Sequence, residues 1–444
     1  MALKALDIYK LLPKTNCKKC GYPTCLAFAM KLAAGKADVE SCPDMDEETK
    51  AILGGATRPP VRKVKIGVGE RAFAVGEEFV LYRHEKTFCH QPGIMYAIDD
   101  TMDEKSIRHV AEEVRDMVLH RVGQDLTVSG LALRHRGGSP EEFGAMVKMA
   151  EECADLPEVV MAEDPAAQEA ALVHCGHYRP LIHAATGENY KEMCRLATDY
   201  GCPMAVKAAG TDALAGLVKK CRKEGVEDLI LDPAPESLRD FTSLSTRIRK
   251  DAVERTNQEI GYPLFLDAGR KDLTDAAMIL GILRYASVIV CEPLSPAPMK
   301  AALTLRQNIY TDPQKPIQVT PGIYPINNPG TDAPVLLSVN FSLTFFTLQG
   351  YLDTTRVPCY MFVVDTEGMS VLTAVAGGKL TETLVNKSIK EFGLEDRVEH
   401  RKMIIPGYAA PLSGRIEDET GWKVLVGPRD AAEIGKYLEK ECSA

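Results

Sequence analysis

Nowhere in its 444 residues does the chain string together the eighteen or so apolar residues of a membrane-spanning helix. Its start, Met-Ala-Leu-Lys-Ala-Leu, lacks the apolar run of a secretory signal. The chain therefore reads as soluble and cytoplasmic, with no membrane partner. Positive charge is in deficit, and a formal net charge of -9 leaves no basic footprint for a polyanion. Nucleic acid is thus excluded as the expected partner. The Gly377-Gly378-Lys379 run lacks the phosphate-loop spacing G-x-x-x-x-G-K-[ST], and no G-x-G-x-x-G occurs in the last part of the chain, so nucleotide binding has little support. Histidine is scarce there too: eight of nine lie between residues 84 and 183, leaving only His400 beyond. No D-x-H-x-x-G loop exists to ligate a metal cofactor from below, and His400 reads as a surface residue.

What is present suits a globular protein of two or three domains, with 45% hydrophobic and 26% charged residues. Near the start stand Cys17, Cys20, Cys25 and Cys42, spaced C-x2-C-x4-C-x16-C and followed by Pro43. About fifty residues are too few for a core of their own, so these thiolates need a metal centre. The compact spacing, with Gly21 and Pro23 in the loop, reads as a 4Fe-4S site. An all-cysteine zinc site is the alternative, although its usual pair of C-x2-C motifs is missing. The nine other cysteines have no paired spacing and read as reduced, buried small hydrophobes. Helices are expected over 3–12, 26–34 and 46–53, making a small helical cluster domain over 1–57. The Gly- and Pro-punctuated stretch 54–60 reads as a tether, with the linker placed at 58–62.

After a short hairpin expected within 63–82, strand and helix patterns alternate eight times. The strands fall near 94–98, 126–133, 158–161, 181–184, 203–207, 228–231, 263–267 and 287–291, the arithmetic of a TIM (βα)8 barrel over 63–310. A doubly wound open sheet is the alternative. Several strands end on polar residues: Asp99, Asp100, Glu163, Asp164, Lys207, Asp232, Asp267 and Glu292. They read first as helix caps, and otherwise as a ring for a small heterocycle or a partner's loop.

Six prolines in 311–334 mark a Pro-rich linker. Residues 335–444 then read as a doubly wound α/β domain, with strands at 335–340, 359–365, 401–405 and 423–426 and helices over 343–351, 380–392 and 430–439. Ligands in such sheets sit outside the carboxyl ends of the strands, which points at the loops after Asn340, Asp365, Ile405 and Val426. Two of these loops, 365–379 and 405–414, are rich in small residues that let a flat or bulky ligand approach the backbone.

The cysteine motif, the barrel pattern and the segments Val-Asn340-Phe-Ser, Thr-Glu-Gly-Met-Ser-Val-Leu-Thr373-Ala and Ile-Pro-Gly-Tyr-Ala-Ala-Pro-Leu-Ser-Gly414 resemble, over essentially the whole chain, the large (gamma) subunit of the corrinoid iron–sulfur protein of the reductive acetyl-CoA pathway. The resemblance implies a methyl carrier with no independent active site in the polypeptide. A cobamide on the C-terminal domain, base-off and without a protein axial histidine, would take a methyl group from methyltetrahydrofolate on a separate methyltransferase and pass it to acetyl-CoA synthase. The 4Fe-4S cluster on Cys17, Cys20, Cys25 and Cys42 would return Co(II) to Co(I), fed by a low-potential donor such as ferredoxin. A small barrel-containing subunit would complete a heterodimer and cover the cofactor. The implied cobamide contacts are Asn340, Phe346, Ser370, Val371, Leu372, Thr373, Ala374, Gly377, Gly378, Gly407 and Leu412. Two other readings stay open: a pterin-dependent corrinoid methyltransferase working through Asp99, Asp232 and Asp267, and a pure iron–sulfur electron-transfer or activating protein.

Overall fold

The computed structural model describes residues 5–33, 37, 39–46, 49–50, 53, 59–270, 274–313 and 316–442. Two units are distinguished, Met1–Leu119 with Leu126–Tyr310, and His120–Asp125 with Thr311–Ala444. No helix among the described residues is long and apolar enough to cross a membrane.

The first unit begins with helices Ala5–Leu11 and Cys25–Ala33. Thr24 starts the second by accepting the Ala27 N–H at 3.0 Å. Contrary to the expectation for so short a segment, Ile8, Leu12, Phe28, Ala29, Leu32, Val39, Met45 and Leu53 close into a small core of their own. Residues 49, 50 and 53 are helical. The rest of the helix expected at 46–53, and most of the expected tether, lie outside the described residues.

The barrel follows. Its eight parallel strands are Gly93–Asp99, Gly130–Arg134, Glu158–Met161, Leu181–Ala185, Met204–Lys207, Leu229–Asp232, Leu264–Asp267 and Ala286–Cys291, each paired to its neighbour in chain order until the first meets the eighth. This is the expected TIM barrel; closure leaves no strand edge unpaired. Each helix turns an apolar stripe inward, as in Pro140–Cys153, where Phe143, Met146, Val147 and Ala150 are buried and Ser139 with Glu142 forms a capping box.

Inside the barrel, Met95, Ala97, Ala132, Val159, Leu181, Ala205, Ile230, Phe265, Val288 and Val290 pack with Val64, Ile66 and Val75. Those last three belong to an antiparallel hairpin, Val64–Ile66 with Phe73–Val75. Its bonds from Gly67 N to Arg179 O and from Arg62 N to Gly261 O tie it to the residues before the fourth and seventh strands, so it plugs the amino end of the barrel.

Two expectations need correction here. The segment 79–82 is not the second arm of the hairpin, because its carbonyls are taken by side chains, Val80 by Arg249 and Leu81 by Tyr285. The strand expected at 126–133 is two pieces. Gln124–Thr127 pairs with Val118–Arg121 in a separate ribbon turning at Val122 and Gly123 (φ 52° and 71°), and the barrel strand starts afresh at Gly130.

In the second unit a five-stranded sheet runs in the order Gly322–Ile326, Cys359–Val364, Val335–Val339, Lys402–Ile405, Lys423–Val426, antiparallel only at the first pair. Alternation along the central strand sends Val335, Leu337 and Val339 to a face covered by helices Val371–Ala376, Glu382–Glu391 and Ser413–Thr420. Leu336 goes to the other face, under Ser342–Thr355 and Ile434–Cys442. The domain is therefore doubly wound, as expected. The Pro-rich stretch is not wholly a linker, since it supplies the strand Gly322–Ile326; Pro325 is tolerated there because an edge strand can spare an N–H. The connections reverse between Val335–Val339 and Lys402–Ile405, neighbours that pair only at Leu336–Ile404. Such a switch point opens a crevice at the carboxyl edge of a sheet.

Candidate cofactor sites

The N-terminal loop before the second helix is coiled by left-handed residues, Lys14, Asn16, Lys18 and Gly21. Only at Gly21 does this conformation come without steric cost. Asn16 clamps the loop to the helix, accepting from the Cys25 N–H at 2.8 Å while its own N–H donates to Cys25 Sγ at 3.4 Å. Cys25 and Cys42 are buried in the small core, and Cys20 lies partly buried against it. Burial pushes the Cys42 thiol up, and the charges of Cys20, Cys17 and Cys25 add to that push. Four sulfurs thus share one neighbourhood, where a cationic centre would favour their thiolates. Among the described residues no three His, Cys, Asp or Glu side chains close tightly enough to hold a single ion. A set of four thiols, one of them accepting an N–H···S bond, is a donor chemistry that fits an iron–sulfur cluster.

At the switch point of the second unit the four expected loops meet around a cavity of about 480 Å³. Phe341, with Leu343 and Thr344 at the start of the helix it leads into, lies after Asn340; Ser370, with Val371 and Leu372 at the start of the next helix, closes the loop after Asp365; Pro406 and Tyr408 follow Ile405; and Gly427 to Ala431 follow Val426. Leu343, Leu372 and Tyr408 stand 62%, 58% and 44% exposed at this one place, where a monomeric surface would ordinarily cover such side chains. Ser338 also lines the crevice, and its buried hydroxyl has no protein partner. The lining contains no histidine. His400 precedes its strand, at the opposite end of the sheet, with both ring nitrogens in use: Nε2 donates to Ala333 O at 2.9 Å and Nδ1 accepts from Lys402 N. An apolar rim, an orphaned hydroxyl and loops of small residues fit a bulky organic cofactor that receives no imidazole from this domain.

Comparison with known proteins decides which cofactors these are in related chains. A family model described as "CO dehydrogenase/acetyl-CoA synthase delta subunit" matches residues 63–438, and one described as "Putative Fe-S cluster" matches residues 12–43. The corrinoid/iron–sulfur protein large subunit of Moorella thermoacetica is 38% identical over 98% of this chain and 98% of its own length. The acetyl-CoA decarbonylase/synthase complex subunit gamma of Methanopyrus kandleri is 37% identical over 99% and 98%, and that of Methanothermobacter thermautotrophicus 36% identical over the whole of both. The chain belongs to the corrinoid/iron–sulfur protein large-subunit family. In this family member the "Putative Fe-S cluster" match spans all four motif cysteines.

Of the residues that the resemblance implied, the crevice of this family member brings together Ser370, Val371 and Leu372. Asn340 is buried and faces its own chain. Its Oδ1 accepts from Thr366 N and Gly368 N at 2.9 and 3.0 Å, and its Nδ2 donates to Asp365 at 2.8 Å, so it sets the loop that carries Ser370. Gly407 lets the loops touch: a Cβ there would lie 2.8 Å from Gly427 O and from Arg429. Ala374 and Leu412 sit in the core, Thr373, Gly377 and Gly378 are exposed beyond the lining, and Phe346 packs edge-on against Phe345. Sequence reasoning passed over Leu343, Tyr408, Ser338 and Arg429.

At the carboxyl end of the barrel the polar strand ends are mostly an ion-pair network, with helix caps a minority. Arg134 reaches Asp267 at 3.0 Å and Asp99 at 3.6 Å and is bonded to Glu292; Lys207 is bonded to Glu163; His183 meets Asp232 at 2.9 Å. Asp164 does cap its helix, accepting from Ala166 N.

Proposed function

We propose that the chain is a methyl carrier whose C-terminal crevice holds a cobamide and whose N-terminal cysteines hold a 4Fe-4S cluster. The observation that carries this is the switch-point crevice, ringed by exposed Leu343, Leu372 and Tyr408 and devoid of histidine, in a member of this family. When bound, the cobamide supplies the cobalt that accepts a methyl group from methyltetrahydrofolate on a separate methyltransferase and passes it to acetyl-CoA synthase, and the 4Fe-4S cluster supplies the electron that returns Co(II) to Co(I).

The residues divide that work. Leu343, Leu372 and Tyr408 offer apolar surface to a large ring, and Ser338 offers a hydroxyl to a polar group of the ligand. A cavity of about 480 Å³ is smaller than a corrin with its nucleotide, so it would enclose part of the cofactor and leave the rest for partners. The crevice lining offers no imidazole, so a cobamide held there base-off would keep no strong lower donor, which would favour low-coordinate cobalt. Residues 1–57 serve as the cluster domain, 63–310 as the barrel, and 335–444 with the edge strand Gly322–Ile326 as the cobamide domain. The partners are a small barrel-containing subunit in a heterodimer, the methyltransferase, acetyl-CoA synthase and a low-potential donor such as ferredoxin, all in the cytoplasm.

The division of labour is tested by Cys20→Ala. Chemically pre-reduced variant protein should still pass methyl groups when mixed with the methyltransferase, while electron-driven recovery of oxidised protein should be lost. Loss of both activities would contradict the reading.

A further inference from the structure

The barrel carries a second cavity, of about 500 Å³, at the carboxyl ends of its strands. Arg134, Met161, His183, Lys207, Asp232 and Asp267, each from a different strand, contribute to its lining. This belongs to the first unit alone and does not rest on the cobamide reading. Its volume is that of a small-molecule pocket.

A buried pair of titratable side chains belongs to the lining. The His183 side chain is only 6% exposed and that of Asp232 4%, and the two meet through Nε2 and Oδ2 at 2.9 Å. Asp232 is further held by the Ala234 N–H at 2.8 Å. Nε2 faces the Asp232 carboxylate and donates to it, and in the neutral ring Nδ1 is then the acceptor nitrogen. That Nδ1 takes no hydrogen bond from any described residue, although the ring is nine-tenths buried and lines the cavity.

Charge then selects the ligand. The cations of the lining are already engaged: Arg134 by Asp267 and Glu292, Arg136 by Asp99 at 3.2 Å, and Lys207 by Glu163. The carboxylates of the lining outnumber its arginines and lysine, which disfavours a phosphate or carboxylate. The lining carboxylates Glu163, Asp164, Asp232 and Asp267, backed by Asp99 and Glu292, present a surplus of acceptors. We propose that the barrel mouth is a second ligand site, which binds a small nitrogen compound, neutral or singly positive, through an N–H donated to Nδ1 of His183. Asp232 acts there as a positioning residue, orienting the ring and holding its tautomer.

The test uses the full, cofactor-loaded chain and 2-aminobenzimidazole, a cyclic guanidine that is neutral to singly positive, with inorganic phosphate as the anionic control. Calorimetric titration should show binding of 2-aminobenzimidazole and none of phosphate. His183→Gln should weaken that binding about tenfold, the cost of one hydrogen bond. In the unaltered protein with 15N-labelled histidine, the Nδ1 resonance of His183 should move during the titration, a readout that does not depend on the variant folding. Unmoved His183 resonances, binding indifferent to His183→Gln, or preference for phosphate would each overturn the proposal.

Discussion

Glu158 enters the protein interior at the start of the third barrel strand. Burial, with the Glu151 carboxylate adding to it, pushes its pKa up to about 8 from an ordinary 4.5, against weaker pulls from the Cys175 thiol and Arg71. Between those two values the folded chain keeps a proton that the unfolded chain releases, so this stability contribution is full below about 4.5 and is lost as pH rises through about 8. Glu158→Gln should abolish that slope. Urea unfolding should find the variant little changed at pH 5 but more stable at pH 8, by on the order of 2–4 kcal/mol. Asn340→Ala should act in the opposite sense. It strips partners from the buried Thr366 and Gly368 N–H groups, which should cost about 2–4 kcal/mol in urea unfolding and lower cobamide retention. The sequence exposed these residues unequally. Cys17, Cys20, Cys25 and Cys42 announce themselves because a cluster loop is local in sequence. His183 and Asp232 are separated by 49 positions and meet only because the curvature of the barrel turns the ends of its fourth and sixth strands toward each other, past the fifth. Asn340 stood out by its place after a strand, yet position alone could not say that its side chain would turn to its own loop.

At the level of elements, the strand-then-helix alternation placed the barrel strands to within a residue at each end except the second, which begins four residues later than expected. What escaped were elements built from unusual local chemistry. The ribbon turn puts Val122 at φ 52°, where a β-branched residue is strained and no Asn-Gly or Asp-Gly signal marks the place. The strand Gly322–Ile326 was hidden by its own Pro325. The barrel-plugging hairpin was legible as a hairpin but not as a plug, since its burial depends on residues from all eight barrel strands. Ile66→Ala should therefore cost about 2–5 kcal/mol, as for a central core position, and guanidinium unfolding of the barrel should register it. The crevice walls offer a separate test. Gly407→Ala forces the 427–429 segment away by at least a few tenths of an ångström, and should reduce bound cobalt while leaving iron content unchanged.

Across the whole molecule, two cofactor sites are assigned to two separate units, so each should be removable without the other. The cluster depends on the coiled loop and small core of residues 12–43, the cobamide on the carboxyl edge of the C-terminal sheet. The most direct measurement is metal analysis with an anaerobic visible spectrum, made on the unaltered protein, on Cys20→Ala and on the double substitution Leu343→Asp, Leu372→Asp. The unaltered protein should carry about four iron atoms and about one cobalt per chain, with the absorption of both centres. Cys20→Ala should lose iron and keep cobalt; the charged crevice pair should lose cobalt and keep iron. Zinc without iron, an absence of cobalt, or joint loss of both metals from either variant would contradict the account.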